Sequence, residues 1–143
     1  MARVKVNGAS SLKMSLERLA EIPDDVTDAM LYAGARVAVR SIRQKGEAYH
    51  VKDTGHTLES LGYNKPRRGK NGDKSITITF KGKRADRPKL RSAEIAFYNE
   101  YGVPKRGIPP RPFVRDGVNA AIGDINEAVD ESYQKHFDKA MEE

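Results

Sequence analysis

Ile76-Thr77-Ile78-Thr79-Phe80 alternates bulky apolar side chains with hydroxyls. This period of two marks a β-strand with one face in a core and the other towards water, and it is the strongest strand signal in the chain. Basic stretches rich in structure breakers flank it. Lys65-Pro66-Arg67-Arg68-Gly69-Lys70-Asn71-Gly72 comes before it and Lys81 to Arg91 after it, so exposed basic loops are expected near 64–74 and 81–92. Beyond the second loop, Ala93-Glu94-Ile95-Ala96-Phe97-Tyr98 is expected to be the partner strand.

Further out, helical spacing takes over. Towards the C-terminus, Val114, Val118, Ala121, Ile122, Ile125, Val129 and Tyr133 trace one stripe, with Asp124, Glu127, Asp130 and Glu131 on the opposite face. Towards the N-terminus, Pro23-Asp24-Asp25 opens a long helix, its acids placed where the positive end of the helix dipole favours them. Val26, Met30, Ala33, Val37 and Ile42 keep its spacing, and Gly46 after Arg40, Arg43 and Lys45 is the expected stop. The small residues Ala29, Ala33, Gly34, Ala35 and Ala38 imply close packing against another element. Ser10 or Ser11 is expected to cap an earlier helix, with Leu12, Leu16, Leu19 and Ile22 on one face and Pro23 ending it. Arg3-Val4-Lys5-Val6 before Asn7-Gly8 reads as a short strand and turn, and Thr57 to Leu61 as one helical turn. The expected fold is α+β: a small antiparallel sheet packed against about three helices, in the order β-α-α-β-β-α, as a single domain over residues 1–143.

Composition narrows the function. The 143 residues include no cysteine, which excludes disulfides, thiolate nucleophiles and Cys-based zinc sites. The first residues lack the apolar core of a signal peptide, and no apolar run is long enough to span a bilayer, so no membrane partner is expected. The net charge of +6 is unevenly spread. Residues 1–62 are nearly balanced at +1, residues 63–116 carry +10 and residues 117–143 carry −5. A basic middle and an acidic end suit either a nucleic-acid surface or a subunit whose basic face meets a neighbour's acidic face.

Little in the sequence points to catalysis. Asp53-Thr54-Gly55 matches the triplet of aspartic proteases, but that chemistry needs two carboxylates sharing a proton, each behind an apolar strand. Here Tyr49-His50-Val51-Lys52 precedes a single copy, so a capped turn is the better reading. Gly62 and Gly69-Lys70 fail the phosphate-loop spacing, and His50, His56 and His136 lack metal-ligand spacing. Neither an enzyme nor a cofactor is expected. The basic stretch from Lys65 to Arg91, with Tyr63 and Phe80 available to stack on bases, keeps a nucleic-acid-binding module as the alternative.

The unusual segments are Tyr98-Asn99-Glu100-Tyr101-Gly102 and Ile108-Pro109-Pro110-Arg111-Pro112-Phe113-Val114. Ile108, Pro109 and Arg111 each precede a proline and are pushed towards extended backbone, while the prolines themselves have a fixed φ. A stiff arm results, with Pro112 at the first position of the last helix and Phe113 anchoring that helix to the core. On residue types alone, this is equally a rigid connection or a docking element.

The run Ala93 to Gly102 followed by Pro110-Arg111-Pro112-Phe113-Val114-Arg115 resembles the hallmark of a phage and prophage tail-component family. Tyr49-His50, then Asp53-Thr54-Gly55, Leu58, Ser60, Leu61, Gly62 and Tyr63, is similar to that family's Thr-Gly-x-Leu-x-x-Ser-aliphatic turn. The likeness extends over nearly the whole chain. It implies a non-enzymatic virion protein of long-tailed phages, made in the host cytoplasm and acting in head–tail joining or tail completion at the neck. Such proteins are expected to form a ring of identical subunits, commonly six, that meets other connector and tail proteins. By its charge alone, the basic middle segment leaves non-specific DNA contact open as a further partnership. The expected assembly residues are Glu100, Tyr101, Gly102, Arg111, Pro112 and Phe113 on the arm, with Asp130 and Glu131 as an acidic counterpart. Glu100 and Arg111 bracket the stiff loop with opposite charges and are expected to pair.

Overall fold

A computed structural model describes residues 2–7, 11–16, 22–51, 56–70, 72–82 and 92–142. The fold is α+β, with β1 (Ala2–Asn7), β2 (Ser11–Leu16), α1 (Asp24–Ala48), α2 (His56–Glu59), β3 (Leu61–Tyr63), β4 (Arg67–Arg68), β5 (Lys74–Phe80), α3 (Ser92–Tyr101) and α4 (Phe113–Glu142). The sheet is antiparallel in the order β1-β2-β5-β3, and β4 also pairs with β5, beyond β3 on the same side.

The alternating run at residues 76–80 behaves as its period requires. Ile76, Ile78 and Phe80 are buried, while Ser75, Thr77 and Thr79 lie on the other face and are half-buried. α1 packs on the apolar face, and α4 runs antiparallel to α1, with Ser41 against Gly117 and Gly34 against Val129. The core between these layers contains Met14, Leu31, Ala35, Ile42, Ile76, Ile78, Phe113, Ile125 and Val129.

Two of the expected elements exchange type. Residues 11–16, expected in a helix, form β2, hydrogen-bonded between β1 and β5 with Met14 opposite Ile76. Leu12-Lys13-Met14-Ser15-Leu16 alternates as well as it follows helical spacing. The open backbone edge of β5 then decides for the strand, because its donors and acceptors need partners. Leu19 lies outside the described residues. In the opposite sense, Ala93 to Tyr98, expected as a strand, belongs to α3. Its buried positions Ser92, Ala96 and Glu100 recur every four residues, and the Asn99 side chain donates to the carbonyl of Ile95 one turn back. Helices of two turns or more therefore number three among the described residues, as expected, but they are α1, α3 and α4.

Smaller differences have steric causes. α1 continues past Gly46 to Ala48, because Gly46 is a packing residue: a Cβ there would come within 2.4 Å of Leu58 Cδ2. Ile122 and Tyr133 fall off the buried stripe of α4 and are 43% and 38% exposed. The expected 64–74 loop is partly a ladder, with Arg67 opposite Ser75 and Arg68 opposite Lys74. Most of the 81–92 loop and all of Asp53-Thr54-Gly55 lie outside the described residues. Among the described residues, no helix is long and apolar enough to cross a membrane.

Candidate assembly corner

The arm begins at the end of α3. The N–H of Gly102 donates to the carbonyl of Tyr98, and Gly102 has a φ of +73°, a left-handed conformation that closes helices at little cost only in glycine. A side chain would not fit in any case, since a Cβ would lie 2.5 Å from the carbonyl oxygen of Ile108. Val103 and Ile108 then exchange both backbone hydrogen bonds, at 2.9 and 3.1 Å, around a single 3-10 turn at Pro104–Arg106. The chain returns past α3, where the N–H of Arg111 donates to the carbonyl of Asn99 at 2.6 Å. Proline stiffness and these cross-links act together on one short loop.

Glu100 locks the corner. It is 4% exposed, yet its two carboxylate oxygens accept the N–H groups of Val114 at 2.9 Å and Arg115 at 3.2 Å. These are first-turn donors of α4, which a helix leaves without internal partners. A carboxylate from α3 thus caps α4 and meets the positive end of its dipole. Burial pushes the Glu100 carboxyl above its ordinary value of 4.5, and the two N–H donors partly oppose that.

The expected pairing of Glu100 with Arg111 does not occur, and among the described residues no ion pair joins them. Two backbone donors engage the Glu100 carboxylate, whereas Arg111 Nη1 donates to the carbonyl of His50 at 2.9 Å, tying the arm to the end of α1. Beside that tie, Tyr49 Oη donates to Asp116 Oδ2 at 2.5 Å. This hydrogen bond first, burial second and the charge of Asp116 third raise the Tyr49 hydroxyl above its ordinary 10.0. Pro112 stands one position earlier than expected, just before the helix, with its carbonyl accepting the Asp116 N–H. Phe113 is fully buried, with its ring edge-on to Phe80 at 5.8 Å.

Outside this locked frame lies an apolar surface that the strand expectation concealed. Phe97, Tyr98 and Tyr101 on α3 are 45–52% exposed, and Ile108 on the arm is 41% exposed. The Phe97 ring stands 5.0 Å from Tyr101 and 6.2 Å from Tyr98, and the neighbouring 3-10 turn exposes Lys105 and Arg106. The spacing of residues 97, 98 and 101 suits one helix face, which is the signal that would have found the cluster. A groove of about 460 Å³ adjoins it, lined by Glu100, Tyr101, Pro110, Pro112 and Arg115.

Asp130 and Glu131 are not part of this corner. They are exposed on the second half of α4, where Tyr133, Phe137 and Met141 are exposed as well. Among the described residues, no group of His, Cys, Asp or Glu has the arrangement of a metal site. No protein-family model, curated protein or solved structure matches the chain.

Proposed function

We propose that the chain is a structural virion protein of a tailed phage or prophage, acting in head–tail joining or tail completion by assembling with copies of itself. The observation that supports this reading best is the corner: four exposed apolar residues, Phe97, Tyr98, Tyr101 and Ile108, mounted on a frame held by Glu100 and Gly102. Rigid aromatic anchors of this kind suit a partner surface, because little side-chain freedom is lost when they dock. The corner also contains the residues that resemble phage tail components.

The complementary surface in this reading is the far half of α4. Tyr133, Phe137 and Met141 recur at a spacing of four among the acids Asp130, Glu131 and Asp138, whereas Lys105, Arg106 and Arg115 surround the corner. The two surfaces sit towards opposite ends of a helix of 30 residues, about 45 Å long at 1.5 Å per residue. A contact between them is heterologous, so repeating it makes a ring or a filament rather than a two-fold dimer.

Solution mass tests this directly. The native chain is expected to form oligomers that dissociate as salt rises, and Tyr101→Ser and Phe137→Ser are each expected to be monomeric. Mixed together, the two variants keep one intact corner and one intact helix end between them, so they should form heterodimers and stop there. A native chain that is monomeric at every concentration overturns the reading, and so do variants that remain monomeric when mixed.

A further inference from the structure

The sheet face turned away from α1 carries a second surface, unrelated to the corner. Lys13 of β2 stands opposite Thr77 of β5, with Ser75 next along the same face of β5. Asn64 and Lys65, from the segment joining β3 to β4, and Arg67 and Arg68 of β4 with Gly69 after them, rise beside them around a concavity of about 270 Å³. Every side chain lining it is polar or cationic.

One cation of the lining, Arg68, and its neighbour Lys74 are already occupied. Arg68 pairs with Asp24 and donates to the carbonyl of Gly72, while Lys74 Nζ lies 2.5 Å from Asp28 Oδ1. The acidic start of α1 therefore neutralises that end of the basic segment. Lys13, Lys65 and Arg67 are exposed and form no ion pair among the described residues.

We propose that this concavity binds the phosphodiester backbone of duplex DNA. Three unpaired cations beside hydroxyl and amide donors match the chemistry of phosphate contacts, which position a protein on nucleic acid without reading its sequence. The aromatic residues of the sheet argue against a single strand, whose recognition relies on rings that stack with bases. The sequence makes Tyr63 and Phe80 candidates for that stacking, but Tyr63 lies 5.6 Å from the Tyr32 ring of α1 and Phe80 packs on Phe113. Among the described residues the outer face presents no ring, so its contacts are to backbone alone. This inference does not rest on the assembly reading.

Fluorescence anisotropy with duplex DNA of arbitrary sequence tests it. Three phosphate contacts predict a log–log salt slope of about −2.7, hence roughly 40-fold weaker binding on going from about 50 to 200 mM salt. Lys65→Glu/Arg67→Glu should weaken low-salt binding at least ~10-fold and reduce the slope by about 2, because both side chains are exposed and their loss leaves the fold intact. The charge-matched pair Arg36→Glu/Arg40→Glu, on the exposed surface of α1, should stay within about 3-fold of the native chain. The proposal is overturned if the duplex does not bind at low salt, if both pairs weaken binding equally, or if a single strand binds more tightly than the duplex.

Discussion

The two halves of α4 share one backbone but face different surroundings. From Phe113 to Val129, the inward residues Phe113, Val114, Val118, Ala121, Ile125 and Val129 are all buried, and Ser41 Oγ donates to the carbonyl of Gly117 at 2.7 Å. From Asp130 onward no described side chain is buried, and Tyr133 and Phe137 stack on each other at 6.3 Å instead of on a core. The first half is held by tertiary packing. The second depends on helix propensity and local hydrogen bonds, such as Gln134 Nε2 to Asp138 Oδ1 at 2.9 Å. The difference separates what keeps this chain folded from what it offers to a partner.

Substitutions in the first half, or at the α3 carboxylate that caps it, should break folding. Phe113→Ala removes a fully buried ring that packs on Phe80, and should cost about 3–5 kcal/mol, measured by urea denaturation. Glu100→Ala comes next. It strands two helix N–H donors in a buried corner, for which about 2–3 kcal/mol is expected. The pH dependence has a definite sign. Because the folded carboxyl holds its proton to higher pH than the unfolded one, its contribution to stability is complete below 4.5 and declines as pH rises through the folded value. Denaturation midpoints across that window should therefore change less with pH in Glu100→Gln than in the native chain.

Two glycines of α4 sharpen the comparison with a single change. At Gly117, a Cβ would approach the Cα of Ile42 in α1 to 2.8 Å, whereas at Gly123 it would meet nothing within 4 Å. Gly117→Ala should destabilise by about 1–2 kcal/mol, since pushing two helix backbones apart outweighs the gain in propensity. Gly123→Ala gains propensity without a clash and should stabilise by up to about 1 kcal/mol. Equal effects at both sites in thermal unfolding would contradict this account of the α1–α4 contact.

Elements with one dominant period were legible from residue order: β5 with its isoleucines, the start of α1 at Pro23-Asp24-Asp25, and most of the buried stripe of α4. Residues 11–16 and 92–101 were not, for a shared reason: each fits both periods. Leu12-Lys13-Met14-Ser15-Leu16 became a strand through a long-range pairing with β5 that no local pattern contains. α3 hides Ser92, Ala96 and Glu100 and exposes Phe97, Tyr98 and Tyr101, the reverse of the usual helix pattern. The residues of the arm stand out in the sequence, but the partner of Glu100 does not. Charge suggested Arg111, whereas the helix end beside it offered two unpaired donors at closer quarters.

The smallest expected effect on folding is at the far end of α4, and there a null result is informative. Phe137 is 47% exposed and its one ring contact among the described residues is Tyr133, itself 38% exposed. Phe137→Ser should therefore change the stability of the monomer by no more than about 0.5 kcal/mol. An exposed aromatic that folding does not require still carries a cost in water, which a docking surface offsets when it is covered. If this substitution leaves the urea midpoint in place and abolishes self-association, the second half of α4 serves assembly alone. If it lowers the midpoint as much as a buried substitution does, the helix end packs against the rest of the chain, and the division between the two halves fails.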